Sequence, residues 1–279
     1  MSPDVRPAAR AGSPAFGRRR LLRDSGLVIS LGALVAACGE GRQGLDEPGR
    51  VGVAPPREPL PQGQVDDVVL LRTAQSIEYV ALEVYDVAAG LDVLDPAALT
   101  LVDRFVADHQ DHADRLGELI TAAGGEEYRC ANEWYMERAV APILEAVEDT
   151  DDLARDLLHI AHALESFAGS TYQAIVRSLE DHDLRREAVL IAADEVRHAA
   201  AIAMAVTGTP EGYVSPELGG EDAEPDEQGM PVLYAVPTTF GNLSATNLTV
   251  GPRDAEGVRF TIGLQTPAEN SFVYDFSSC

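Results

Sequence analysis

The sequence predicts a mainly α protein: a four-helix bundle with one long crossover, followed by a small β-rich extension. Three observations predict it. Four segments between residues 65 and 206 repeat apolar residues in steps of three and four, the spacing of one helix face. The connections between these segments are short, long and short, which suits two helical hairpins joined by a crossover. Past residue 231 the period changes to alternation, the pattern of strands.

The first helix is predicted from about Val65 to Ala89, stopping at Gly90. Its seam reads Val68, Leu71, Gln75, Glu78, Leu82, Tyr85, Ala89. The second starts after Asp95-Pro96, an N-cap followed by a proline at the first turn, and ends near Gly124-Gly125. Its seam is Ala98, Val102, Phe105, His109, His112, Leu116, Leu119. The third follows Thr150-Asp151-Asp152 and runs to about Leu179, with Ala154, Leu158, Ala161, Glu165, Ala168, Tyr172, Ile175 and Leu179 on its seam. The fourth runs from about Leu184 to Val206, with Gly208 and Pro210 beyond it, and presents Leu184, Ala188, Ile191, Glu195, His198, Ile202 and Ala205. Between the second and third helices lie residues 125–150, long enough to travel the bundle. Glu133 to Val147 is expected to form a short helix there, broken by Pro142.

Each seam is apolar except near its middle. There it turns polar: Glu78, then His109 with His112, then Glu165, then Glu195 with His198. Helices of similar length packed side by side bring these six groups to one level of the core. A buried unpaired carboxylate costs several kcal/mol, so six such groups need a common partner, and one or two metal ions are the simplest.

With these residues in place, the segment from about Val65 to Thr207 resembles the ferritin-like superfamily, in particular exported bacterial ferritin-like domain proteins. The resemblance implies a carboxylate-bridged di-metal centre: Glu on the first helix, Glu-x-x-His on the second, Glu on the third, Glu-x-x-His on the fourth. Glu78, His112, Glu165, Glu195 and His198 occupy matching positions. His109 stands where the pattern has Glu. Four carboxylates balance two divalent cations, whereas three leave a positive charge over. The set therefore suits one ion, or two with an added anion. The expected metal is iron or manganese, with zinc as an alternative. Asp108 points about 100° around its helix from His109 and is not expected to substitute. Of the other histidines, His159 and His162 are read as lying on the third helix, His162 beside the seam three residues before Glu165, and His182 in the turn between the third and fourth helices. Tyr85 and Tyr172 are read as core packing, with hydrogen bonds to the ligands as the alternative.

The N-terminal residues read as an address. Arg18-Arg19 with Leu21, Leu22 and Arg23 begins a twin-arginine pattern, and an apolar run from Leu27 to Ala37 follows. Val35-Ala36-Ala37-Cys38 resembles a bacterial lipobox, implying export, cleavage before Cys38 and lipidation of that cysteine. The alternative is an uncut membrane anchor. This divides the chain into a signal over 1–37, a Gly/Pro-rich tether over 38–63, a bundle over 64–208, an acidic linker over 209–230 and the extension over 231–279. The expected location is the outer face of the cell membrane.

Cys130 and Cys279 would remain, and outside the cytoplasm two cysteines can pair. In the extension, Val258 to Leu264 alternates as a strand and 247–250 is its hairpin partner. Val232 to Val236 and Phe272 to Phe276 are further candidate strands.

Composition bounds the rest. Hydrophobic residues make up 46% of 279, enough for a core. The net charge of −25, with every basic residue an Arg, excludes nucleic acid as a partner because phosphates are repelled. Two function classes remain: a metal-binding protein with ferroxidase or peroxide-handling activity, and a non-catalytic envelope bundle whose polar layer is a relic.

Overall fold

A computed structural model of the chain describes residues 64–209, 228–231, 233, 246–267 and 271–279. The twin-arginine pattern, Cys38, the Gly/Pro-rich tether, most of the acidic linker and most of 232–236 lie outside the described residues.

The bundle comprises α1 (Asp67–Gly90), α2 (Pro96–Ala122), α5 (Leu153–Val176) and α6 (His182–Thr207). The crossover between α2 and α5 carries α3 (Glu133–Tyr135), a π-helical turn over Met136–Val140 and α4 (Ala141–Ala146). Two strands follow, β1 (Thr246–Val250) and β2 (Phe260–Leu264).

Local chemistry sets the helix starts. Each long helix begins at an aspartate whose carboxylate accepts orphan N–H groups of the first turn: Asp66, Asp95, Asp152 and Asp181. At the far end of α6, Gly208 takes the left-handed conformation, φ 67°, and its N–H closes on the Met204 carbonyl.

The core divides into two apolar clusters. One gathers Leu70, Leu71, Leu116, Ile120, Ile175 and Ile191 at the end where α1 and α6 begin. The other gathers Ile77, Val80, Phe105, Leu157, Ile160 and Ile202 with crossover and hairpin residues at the opposite end. Hence α1 and α2 are antiparallel, α5 and α6 are antiparallel, and α2 and α5 run the same way. The crossover makes that direction possible by returning the chain to the starting end of α2.

The first helix is buried on nearly every side from Val69 to Ala81, far beyond the stripe its seam predicts. The crossover and the C-terminal residues explain this. Gln75 donates to the Ala113 carbonyl and accepts from the Tyr128 N–H, tying α1 to α2 and to the crossover. Arg72 is 1% exposed and donates to the carbonyls of Tyr274 and Ser277. The Val273 N–H donates to Thr73 Oγ1, and Asn132 donates to the Ser271 carbonyl. A disulfide between Cys130 and Cys279 fastens the same layer.

The hairpin is antiparallel, pairing Thr246 with Leu264 through Val250 with Phe260. Leu248, Val250 and Leu264 pack inward, and the buried Asp156 of α5 accepts from the Gly251 N–H at 2.8 Å. Arg259 is buried too, reaching Asp151 and the Gly251 carbonyl.

Three expectations are corrected. The crossover helix is not broken at Pro142: a π turn precedes it, and Ala141 N–H bonds back to the Met136 carbonyl, one residue further than in an α-helix. The wider turn shifts the carbonyls that the proline ring would strike. Phe272 to Phe276 is not a strand. Its backbone groups go to Thr73 and Arg72 side chains rather than to a ladder. Within 258–264 the alternation holds only from Ile262 onward, since Val258 is 60% exposed and Phe260 38%. Among the described residues, no helix is long and apolar enough to cross a membrane.

Candidate metal centre

Between the two apolar clusters lies a polar slab. Glu78 of α1, His109 and His112 of α2, Glu165 of α5, and Glu195 and His198 of α6 meet there, each near the middle of its helix. His109, Glu165 and Glu195 are 0% exposed and Glu78 1%; His198 and His112 keep 6% and 8%. The six residues that the sequence singled out are thus brought together without exception.

Their donor atoms form two overlapping groups of four. Glu78, His109, His112 and Glu195 make one; His109, Glu165, Glu195 and His198 make the other. Within each group the donor atoms lie within 4.8 Å of one another. His109 and Glu195 belong to both. His109 Nδ1 lies 2.7 Å from Glu78 Oε2, and Nε2 lies 3.2 Å from Glu165 Oε1. His112 Nδ1 is 2.9 Å from Glu195 Oε1. His198 Nδ1 is 3.2 Å from Glu165 Oε2 and 3.5 Å from Glu195 Oε2.

Electrostatics follow from this packing. Burial alone would raise the Glu78 carboxyl, but the bonded His109 and His112 outweigh it and hold it down at about 2. Glu165 is likewise held well below the ordinary carboxylate range: burial opposes, His109 and His198 prevail. Glu195 goes the other way, raised by burial, with Glu78 adding like-charge repulsion. Burial disfavours charge on His112 and His198, yet the facing carboxylates raise them to about 10 and about 9. His109 rises well above its usual value against the same burial, drawn up by Glu195 and Glu165.

The donor set passes a test of fit to a metal. Glu195 Oε1, Glu195 Oε2 and His112 Nδ1 are buried and have no hydrogen-bond partner. Carboxylate and imidazole atoms converging in a dry interior, some of them without a hydrogen bond of their own, are what a cation of the Fe, Mn or Zn type requires. The ligands' outer atoms are also held. Tyr85 donates to Glu165 Oε1 and Tyr172 to Glu78 Oε1. Both phenols are pushed well above their ordinary range, by burial first and by the adjacent carboxylates second. This corrects their reading as core packing: they lie in the core, and their hydroxyls fix two carboxylates. Asp108 accepts from His198 Nε2 at 3.1 Å, and Asp194 lies 3.6 Å from His112 Nε2. Asp108 is paired with Arg104 and Asp194 with Arg197. A carboxylate behind a metal-binding imidazole orients the ring and strengthens it as a donor.

Asp108 thus stays outside the donor groups, as its angular position implies, but it holds a histidine of the opposite helix. The signal for both aspartates was present: Asp108 precedes His112 by four residues and Asp194 precedes His198 by four, the same-face spacing. That each reaches across to the other helix's histidine is a matter of packing. His159 is buried, His162 half-buried, and His182 is exposed as the first residue of α6; none joins the slab.

A family model for the ferritin-like domain matches residues 66–208. No curated protein matches the chain. That match spans all four long helices and every residue of the slab, and the chain belongs to the ferritin-like domain family.

Proposed function

We propose that the protein is an exported, lipid-anchored metal-binding protein that holds iron or manganese in the bundle core. The observation that carries this reading is the fully buried Glu195 carboxylate, enclosed by three imidazoles and two further carboxylates. Left without a cation, both of its oxygens lose their hydration, and the nearest donors, His112 Nδ1 at 2.9 Å and His198 Nδ1 at 3.5 Å, face Glu78 and Glu165 as well. Glu78, Glu165 and Glu195 would supply oxygen, and His112, His198 and His109 nitrogen. Such an ion, once bound, supplies Lewis acidity and one-electron redox chemistry, the basis of a ferroxidase or peroxide-handling activity. The chain's own part is to keep water out, to orient the carboxylates through Tyr85 and Tyr172, and to orient the imidazoles through Asp108 and Asp194. The twin-arginine pattern and the lipobox ending at Cys38 support export and anchoring, and the Cys130–Cys279 disulfide suits an oxidising compartment.

A second reading has its own observation. His109 faces a carboxylate with each ring nitrogen, so as an imidazolium it bonds both, and three carboxylates can be balanced by three protonated histidines. The bundle would then be a structural module of the envelope. Metal analysis of the protein purified without chelator decides between the two. Retention of near-stoichiometric Fe or Mn, lost in a Glu165→Ala, Glu195→Ala double variant, supports the first. Less than about a tenth of an equivalent, unchanged after incubation with Fe(II), supports the second.

A further inference from the structure

We propose that the apolar pocket beneath the crossover is a binding site for a small uncharged hydrocarbon group, a single ring or the end of an alkyl chain. The inference does not depend on the metal-binding reading. It gives the crossover's π turn and the C-terminal hairpin a common role.

The pocket is walled by α1, α5, the crossover and the hairpin, and no charged side chain among the described residues lines it. Val80 of α1 and Phe167 of α5 form its floor. Each lies two residues past a slab carboxylate, Glu78 or Glu165, and so about 200° around its helix from it. The pocket is therefore on the outer side of these two helices, with the helices between it and the slab. Leu248 and Leu264, inward residues of the hairpin, roof it. The rings of Tyr135 and Phe167 line one wall, their centroids 4.6 Å apart.

The local structure keeps this space open. Protein interiors fill to crystal-like density, so a void within a core has a cause. Here the π turn carries an extra residue and widens the crossover over α1 and α5. Ala139, on that turn, is the smallest of the described lining side chains. Val84 and Leu144 are only half-buried, which gives the pocket a mouth and lets a ligand enter without unfolding the bundle.

Size and charge define the occupant. About 30 Å³ of the pocket admits the centre of a water-sized sphere, against the roughly 10–15 Å³ that one water needs. Water finds no set of hydrogen-bond partners on such walls, and apolar cavities of this kind stay dry and take up benzene or xenon. The exposed Glu83 and Glu145 adjoin Val84 and Leu144 in the chain, whose net charge is −25. A carboxylate or phosphate at the mouth is repelled, which leaves an uncharged ligand.

The test uses the full chain with xenon, benzene, n-hexane and hexanoate as probes. Expected are a xenon site between the crossover and α1–α5 by anomalous diffraction, and a melting temperature that rises with the logarithm of benzene or hexane concentration. Hexanoate should give no rise. Ala139→Leu, whose longer side chain occupies the same space, should bind the hydrocarbons at least about tenfold more weakly and, without probe, melt no lower than the parent. Val84→Phe, at the mouth, should weaken binding likewise and serves if the Leu variant does not fold. A rise with benzene alone assigns the pocket to rings, and one with hexane alone assigns it to chain ends. A rise with neither overturns the proposal. So does xenon bound only elsewhere, an equal rise with hexanoate, or undiminished binding in both variants.

Discussion

Removing the Cys130–Cys279 disulfide should weaken the fold by an amount that the chain's connectivity sets. The bond links residues 149 positions apart and closes the crossover helices, α5, α6 and the hairpin into one loop. In the chain-entropy account, a loop of that length removes about 5 kcal/mol of disorder from the unfolded state. The C-terminal residues are held by other contacts as well, namely Arg72 to two carbonyls, Thr73 to Val273 and Asn132 to Ser271. Those contacts act on the folded state, and the loop effect acts on the unfolded one, so they do not replace each other. A Cys130→Ser, Cys279→Ser variant should lose about 3–5 kcal/mol of unfolding free energy. Urea unfolding of the metal-free protein, followed by far-UV circular dichroism, measures it. The urea slope should rise as well, because the uncrosslinked unfolded chain exposes more surface. A loss below about 1 kcal/mol with an unchanged slope would refute the reasoning and assign the C-terminal attachment to Arg72 and its neighbours.

Further predictions concern the slab and its supports. In the metal-free protein the ionic contribution of His112 and His198 is complete below their ordinary 6.5 and is lost as pH rises through about 9 and 10. Glu78 contributes above its ordinary 4.5 and loses that contribution toward about 2. Melting of the chelated protein should therefore peak between about pH 4.5 and 6.5 and fall toward pH 10; a melting point that climbs from pH 7 to 10 contradicts the charged-histidine network. Metal affinity should run the other way and strengthen with pH, as the imidazoles give up protons to the ion, and titration calorimetry at three pH values reads it. Tyr85→Phe and Tyr172→Phe should each weaken metal binding by about 10–100-fold while leaving the helical circular dichroism unchanged, because each removes a donor to a candidate ligand. Gly251→Ala should cost about 1–3 kcal/mol: the residue has φ 82°, and an added Cβ would sit 2.5 Å from the Ala146 carbonyl oxygen. Urea unfolding that shows no change would mean that the hairpin's seat on the bundle is loose.

Much of the fold was legible because it rests on local rules. The Asp95-Pro96 start, the Thr150-Asp151-Asp152 start and four three-four seams placed the long helices to within a few residues, and the polar break in every seam marked the slab. The six candidate ligands were visible as charged residues at positions that must be buried. What escaped was nonlocal. Nothing in the first helix's own spacing shows that its outer face would be covered, because the cover comes from residues 128–132 and 271–279. The same holds for Arg72: a lone arginine on a helix looks solvated until the carbonyls of Tyr274 and Ser277 arrive from two hundred residues away. Tyr85 and Tyr172 sit on seams where an aromatic ring packs well, and only the cross-bundle register gives their hydroxyls a carboxylate. Phe272 to Phe276 alternates like a strand, yet no edge is offered to it.

The near-total enclosure of α1 has a kinetic consequence. With that flank walled off, His112 and His198 on the α2–α6 side keep the most exposure of the six slab residues. An ion entering on that side would pass one of these imidazoles, each of which lies against an aspartate, Asp194 or Asp108. An ion bound there would then leave at a pace set by the rotation of one of these rings.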